Sequence, residues 1–345
     1  MRARAAIGSI LLVLMPLLAA CGDDQDQPKA GDIIRARLDN QFKKGHESEV
    51  VLPTGKLLIH AGTPVDSASA DETRTREKVD APSGAVLVPI SWQYDPWRSN
   101  KVDAIFDTDG TPIVDLVSGD DDYRLTPPQS EDDGAESFYV VVEGDGKDPA
   151  LEITFDGVKQ TVDLRTGDRD EGDAAGLYDI VDEKLDKKPC DQGKWFDTKT
   201  AAAEFTCSLT GPVLTPYAAG KWAPSGSLWL AVTVATNMRV YQETDLLGAG
   251  ARYLAADVKI KPTIDGEAPH RILSTEDDAD VCPVTSQADC GWSKQLVFEV
   301  PADDAEQGPL DLAASYHMSL ATAWNGYDAP KIKKIKAEEK LKIWK

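Results

Sequence analysis

The sequence predicts an all-β fold, two tandem β-sandwich domains that follow an export signal and a flexible tether. Three observations predict it. Short runs of Val, Ile, Leu and aromatic residues alternate with polar ones and are separated by Gly, Pro, Asp and Asn. Few segments hold an apolar stripe at helical spacing for three turns. One ordered series of segments also occurs twice along the chain.

Residues 1–20 have the parts of an export signal. Arg2 and Arg4 supply a positive start, and Ile7 to Ala20 an apolar run. That run, about 14 residues, is short of the ~20 that a membrane-spanning helix needs. No later stretch comes close, so no integral membrane domain is expected. Leu18-Ala19-Ala20-Cys21 resembles the lipobox of bacterial lipoproteins. The resemblance implies cleavage before Cys21 and a covalent lipid on its thiol, with palmitate among the expected acyl chains. It places the chain on the extracytoplasmic face of the cell membrane as a lipid-anchored protein.

Residues 21–45 read as a tether. Gly22 to Pro28 is polar, acidic and ends in Pro, so it cannot offset its own ordering by burial. Ile33, Ile34, Leu38 and Phe42 are apolar enough to dock a short helix or strand.

The first β-sandwich domain is expected over 46–170 and the second over 188–345, with a linker over 171–187. The linker opens on a charged, Gly-bearing stretch, and Leu177 to Val181 is a candidate short element within it. The repeat is most visible where Ala81-Pro82-Ser83-Gly84 recurs as Ala223-Pro224-Ser225-Gly226, each followed by an apolar strand. Leu58 to Val65 matches Thr206 to Val213, and Leu116-Val117-Ser118 matches Ile272-Leu273-Ser274. Val140 to Glu143 matches Leu296 to Glu299, and Ala150 to Ile153 matches Leu310 to Ala313. The order is kept throughout. A strand that buries one face needs a second sheet to cover it, which makes each copy a sandwich.

The unit resembles the telokin-like, immunoglobulin-like domain of bacterial surface lipoproteins. The parts that match are the long apolar strand after Ser83-Gly84 or Ser225-Gly226, the Asp-Gly turn with a polar strand, and the late Leu296 to Pro301 strand. Domain two departs from the pattern by an insertion between Val234 and Asp265. In domain one, Trp92 to Trp97 stands where the long strand would end in an Asn turn. The resemblance implies a non-catalytic module and carries over no functional residue.

Five cysteines and four histidines are present. After Cys21, the cysteines Cys190, Cys207, Cys282 and Cys290 allow three pairings in an oxidising compartment. Proximity favours Cys190–Cys207 and Cys282–Cys290. A zinc site is the rival reading, but there is no Cys-x-x-Cys, and His46, His60, His270 and His317 are dispersed.

The formal net charge is −22, and loss of Arg2 and Arg4 makes it more negative. Such a surface repels phosphate backbones, so no nucleic-acid partner is expected. The basic stretch from Lys331 reads as a last strand whose lysines guard a sheet edge, with electrostatic contact to anionic lipid or wall polymer as the rival reading.

Signatures of catalysis are lacking: no Gly-x-Ser-x-Gly, His-Glu-x-x-His or phosphate-binding Gly-Lys loop occurs. Asp107-Thr108-Asp109-Gly110 matches the opening of a calcium loop, without a Glu at the twelfth position. Asp107, Asp109, Asp120, Asp121 and Asp122 are therefore candidate calcium ligands, against a solvated acidic loop as the simpler reading. Trp92 and Trp229 are expected in the core. Trp97, beside Pro96, is expected to be exposed and, with Tyr94, to form a candidate partner patch.

The functional expectation is a non-catalytic binding or scaffolding lipoprotein at the cell surface. Its partners would be the lipid membrane through Cys21 and an envelope or surface protein, and it would carry no cofactor beyond the covalent lipid. The rival readings are a lipoprotein that binds a small ligand or divalent ion, and a hydrolase on the same scaffold.

Overall fold

The computed structural model describes residues 27–97, 103–128, 134–180, 185–190, 200–275, 282, 290–303 and 308–343. Residues 1–26, which include the expected export signal and Cys21, lie outside the described residues. In the first half the elements are β1 (Ile33–Arg35), β2 (His46–Leu52), β3 (Gly55–Ala61), β4 (Ser67–Ala68), β5 (Val79–Asp80), β6 (Ala85–Pro96), α1 (Asp103–Phe106), β7 (Ile113–Ser118), β8 (Asp121–Leu125), β9 (Glu136–Glu143), β10 (Ala150–Phe155), β11 (Val158–Asp163) and β12 (Arg169–Asp170). The second half has β13 (Lys187–Pro189), β14 (Ala201–Thr215), β15 (Tyr217–Ala218), β16 (Lys221–Trp222), β17 (Ser227–Thr244), β18 (Gly250–Ile264), β19 (Arg271–Ser274), β20 (Cys290–Pro301), β21 (Leu310–Trp324) and β22 (Ile332–Leu341).

The fold is an all-β sandwich. In the first half a front sheet ordered β1-β9-β6-β3-β2 faces a back sheet ordered β12-β11-β10-β7-β8. Period-two alternation turns Leu57, Ile59, Val88 and Val140 inward from the front, and Val114, Leu116, Leu151 and Val162 inward from the back. β6 is apolar on both faces because its other side is covered too. There Leu87, with Tyr139 and Val141 of β9, packs against Ala36 and Ala68.

In the second half β17 is the long central strand. β14 pairs along one of its edges. Along the other, Ser227–Met238 pairs with β20 and Val240–Thr244 with β18. β18 continues the sheet to β21 and then β22. Leu230, Val232 and Val234 of β17 and Leu296 and Phe298 of β20 share one core with Leu312 and Tyr316 of β21 and Ile335 of β22. The basic terminal stretch forms β22, the edge strand, as its alternation predicted.

The repeated segments occupy matching places: β3-β6-β9 in the first half corresponds to β14-β17-β20 in the second. Both Ser-Gly turns close the same way, Ala85 N–H donating to Pro82 O at 3.0 Å and Ser227 N–H to Pro224 O at 2.9 Å. Gly84 and Gly226 take φ of 82° and 81°, a region that a side chain disfavours. The registers differ. Val88 pairs with Val140, but its counterpart Leu230 pairs with Phe298, two positions beyond the sequence match Leu296. A slip of two keeps every side chain on its face, so the core pattern survives it.

Four features differ from the sequence reading. The insertion after Val234 extends the central strand and adds β18, a strand with no counterpart in the sequence match. β18 hydrogen-bonds along β21, the place that β7 holds beside β10, so Ile272–Ser274 pairs instead with the edge of β20. The tether does not extend to residue 45. β1 pairs with β9, Ala36 is buried, and the Phe42 ring lies 5.0 Å from that of Tyr139, because the apolar positions of this stretch find a covered face. The linker is likewise packed: Gly172–Ile180 is a 3-10 segment that buries Ala174, Leu177 and Ile180. Finally, the first-half core does not stop at residue 170, and it takes in Val213, Tyr217, Trp229, Ala231 and Val297.

Candidate functional site: a braced hairpin tip

The β17–β18 hairpin closes through Asp245-Leu246-Leu247-Gly248-Ala249. One oxygen of Asp245 accepts from Leu247 N–H at 2.8 Å and from Ala249 N–H at 2.9 Å. The Asp245 N–H donates to Ala249 O at 2.7 Å. Asp is suited to this place because its short carboxylate reaches backbone donors two and four residues on. Gly248 turns the chain at φ 84°. Its carbonyl accepts from the Trp324 indole N–H and the Asn325 side-chain amide, each at 3.0 Å, so the end of β21 holds the turn.

The braced turn leaves Leu246 96% and Leu247 93% exposed. Each forgoes about 1.5–3 kcal/mol that burial would supply. The exposure does not come from a loose loop, since these five hydrogen bonds and a sixth, from Gly248 N–H to Asp245 O at 3.2 Å, fix the backbone that carries the pair.

Beneath the tip the hairpin is anchored by charge. The half-buried carboxylate of Glu243 accepts from Tyr253 OH at 3.3 Å and Tyr327 OH at 3.1 Å, and it pairs with Lys333. The Lys333 ammonium also lies 5.7 Å from the ring centres of both Tyr241 and Tyr253. Burial, with Glu243 beside it, pushes the Tyr253 phenol up to about 12, so it remains a proton donor to that carboxylate. The tip stands at the end of β17 remote from Trp229 and Ala231, which pack into the first half. From Ala231 to Thr244 the strand runs about 40 Å.

The residues singled out in the sequence fall elsewhere. Tyr94 is only 7% exposed, and its hydroxyl donates to Thr54 O. Trp97 is half-buried. Its indole N–H donates to Leu52 O at 3.0 Å and its ring lies 5.9 Å from Phe106. They form no exposed patch, because β6 continues as far as Pro96 and carries both rings onto the core. The five aspartates do not converge either. β7 runs between Asp107 and Asp109 at its start and Asp120–Asp122 at its end, and its six residues span about 20 Å. Among the described residues no three His, Cys, Asp or Glu side chains group as a metal site.

Cys190 and Cys207 are disulfide-bonded with Cα atoms 5.2 Å apart, and Cys282 and Cys290 with Cα atoms 4.3 Å apart. Trp92 and Trp229 are buried. His270 lies against the Trp229 ring, and His317 Nδ1 is 3.1 Å from Asp257. Among the described residues no helix is long and apolar enough to cross a membrane.

No family model, curated protein or solved structure matches the chain. The site therefore rests on its own geometry. The sequence held one signal for it, a Leu-Leu pair between Asp and Gly. Whether such a pair faces solvent or a core depends on what the turn meets in the folded chain.

Proposed function

We propose that the protein is a lipid-anchored, non-catalytic docking module on the extracytoplasmic face of the cell membrane, and that it engages an envelope protein through Leu246 and Leu247. The carrying observation is the rigid presentation of two exposed leucines by a hydrogen-bonded turn. Burial of both in an apolar pocket is worth about 3–6 kcal/mol, a weak contact by itself. A lipid on Cys21 raises the local concentration of the tip at the envelope and makes a weak contact sufficient. A protein pocket is favoured over the bilayer on two grounds. The tether enters at β1, in the half remote from the tip, and the −22 net charge opposes approach to anionic lipid. The resemblance to telokin-like, immunoglobulin-like lipoprotein modules supports the same reading.

The test places a photo-crosslinking residue at position 246 in the intact, membrane-anchored protein. A discrete protein adduct that disappears in the Leu247→Asp variant is expected. Adducts to lipid alone, or none, would refute docking to a protein. Cys21→Ser is expected to release the chain from the membrane fraction, and retention there would remove the anchor from the proposal.

A further inference from the structure

The front sheet of the first half overhangs the back sheet. β1 extends it beyond β9, while the back sheet ends at β8, whose Tyr123 hydroxyl accepts from Glu143 N–H at 3.1 Å. Ile33 and Arg35 pair with Val140 and Phe138 and so share their inward face. Phe138 and Val140 are buried, whereas Ile33 is 50% exposed and Arg35 is exposed. What remains is an open groove of about 470 Å³, bordered by β1, the Thr126–Pro128 stretch after β8, and the aromatic rings of Trp92 and Phe138. Its size is that of a small-molecule site.

Among the described residues, three polar groups of this groove lack partners. The indole N–H of Trp92 is buried with no hydrogen bond among the described residues, which is rare in a folded protein and calls for an explanation. Among the described residues neither Arg35 nor Glu136 has an ion-pair partner, although both line the groove. Arg35 sits across from Phe138, and Glu136 is two residues away on the same face, which sets their Cα atoms about 7–8 Å apart. The other two charges, Arg74 and Asp39, already neutralise each other. The groove thus offers one unpaired cation, one unpaired anion and one buried donor, over a floor of rings and the buried Pro127 and Pro128.

We propose that this groove binds a zwitterion of dipeptide size with apolar side chains. Arg35 takes the carboxylate, Glu136 takes the ammonium, and the peptide carbonyl accepts the Trp92 N–H. Phe138 and the two prolines contact the side chains. A net anion would leave Glu136 unpaired and a net cation would leave Arg35 unpaired, whereas a zwitterion satisfies both with charge-assisted hydrogen bonds. The inference is independent of the hairpin tip.

The test is calorimetric titration of the full chain with Leu-Phe, with N-acetyl-Leu-Phe, which lacks the ammonium, and with Leu-Phe amide, which lacks the carboxylate. Saturable binding of Leu-Phe is expected, at least roughly tenfold tighter than either blocked peptide. Glu136→Gln should weaken Leu-Phe by a similar factor and leave the acetylated peptide unchanged. Arg35→Gln should weaken Leu-Phe and leave the amide unchanged. Both side chains lie at the surface, so an unaltered melting temperature confirms that the variants fold. Trp92→Phe, which keeps the bulk and removes the N–H, should weaken all three peptides. The proposal is overturned by an absence of saturable heat up to about 10 mM. Equal affinity for the three peptides, or an unaffected Trp92→Phe variant, also overturns it.

Discussion

Trp222 donates its indole N–H to the carbonyl of Phe155 across 3.0 Å, and so ties the start of the second repeat to the end of a first-half strand. Tyr217 is fully buried beside this bond, its ring 5.0 Å from Trp222, 5.8 Å from Phe155 and 6.1 Å from Phe106. Two backbone bonds close the junction, Ala219 N–H to Ile105 O at 2.9 Å and Gly220 N–H to Phe106 O at 2.8 Å. A junction with rings this deeply packed behaves as core. The two halves are therefore expected to unfold in one transition, and Tyr217→Ala to destabilise both by about 3–5 kcal/mol. Calorimetry checks this; two separated transitions in the parent protein would contradict it.

Tyr178 holds the supposed linker in place. Its hydroxyl donates to Gln160 Oε1 at 2.5 Å and accepts from Val51 N–H at 3.2 Å, while Gln160 Nε2 donates to Val51 O at 2.8 Å. The Arg169 guanidinium lies 4.1 Å above the ring centre. Tyr178→Phe leaves Val51 N–H and the Gln160 carbonyl without this partner. A loss of about 1–3 kcal/mol is expected in urea unfolding, together with faster proteolysis around Gly172–Ile180. An unchanged cleavage rate would argue that the segment does not depend on Tyr178.

The Cys190–Cys207 bond fastens β13 to β14, and the backbone agrees, with Cys190 N–H donating to Cys207 O at 3.0 Å. It closes a loop with a sequence separation of 17, against 8 for Cys282–Cys290. On a chain-entropy account, replacing both Cys190 and Cys207 by Ser should cost about 3 kcal/mol, and the shorter pair somewhat less. Thermal melts of the two double variants give the order, and a larger loss for the shorter loop would show that local contacts outweigh chain entropy.

Burial pushes the phenols of Tyr178 and Tyr316 up to about 12, against an ordinary value of 10. Between pH 10 and 12 the unfolded chain has released these protons and the folded chain still holds them. Their contribution is whole below pH 10 and is lost as pH rises through that window, on the order of 2–3 kcal/mol for Tyr316. Tyr316→Phe keeps the ring and gives up the 3.3 Å contact to Thr236 Oγ1. It should flatten the alkaline fall in stability measured by denaturant titration from pH 9 to 12. A fall as steep as the parent's would assign the loss to other groups.

Much of the fold was legible because alternation states which residues share a face. The Ala85–Trp92 and Ser227–Val234 strands, the two Ser-Gly turns and the β22 edge strand all follow from local pattern. So does the pairing of Cys190 with Cys207 and of Cys282 with Cys290, since short separations favour closure. The candidate site was not legible. Leu246 and Leu247 carry no period, and only the folded chain shows that both leucines stand exposed on a turn that Trp324 and Asn325 hold.

The sequence by itself determined the all-β class, the duplicated order of segments and the positions of the turns, because these depend on chemistry within a few residues. Only the tertiary structure decided what each face meets. It turned Trp97 inward and separated Asp107 and Asp109 from Asp120–Asp122 by the length of β7. It also gave β18 the place beside β21 and merged Tyr217 and Trp229 into the first-half core. Those outcomes depend on contacts between segments far apart in the chain, and periodicity carries no information about which segment arrives.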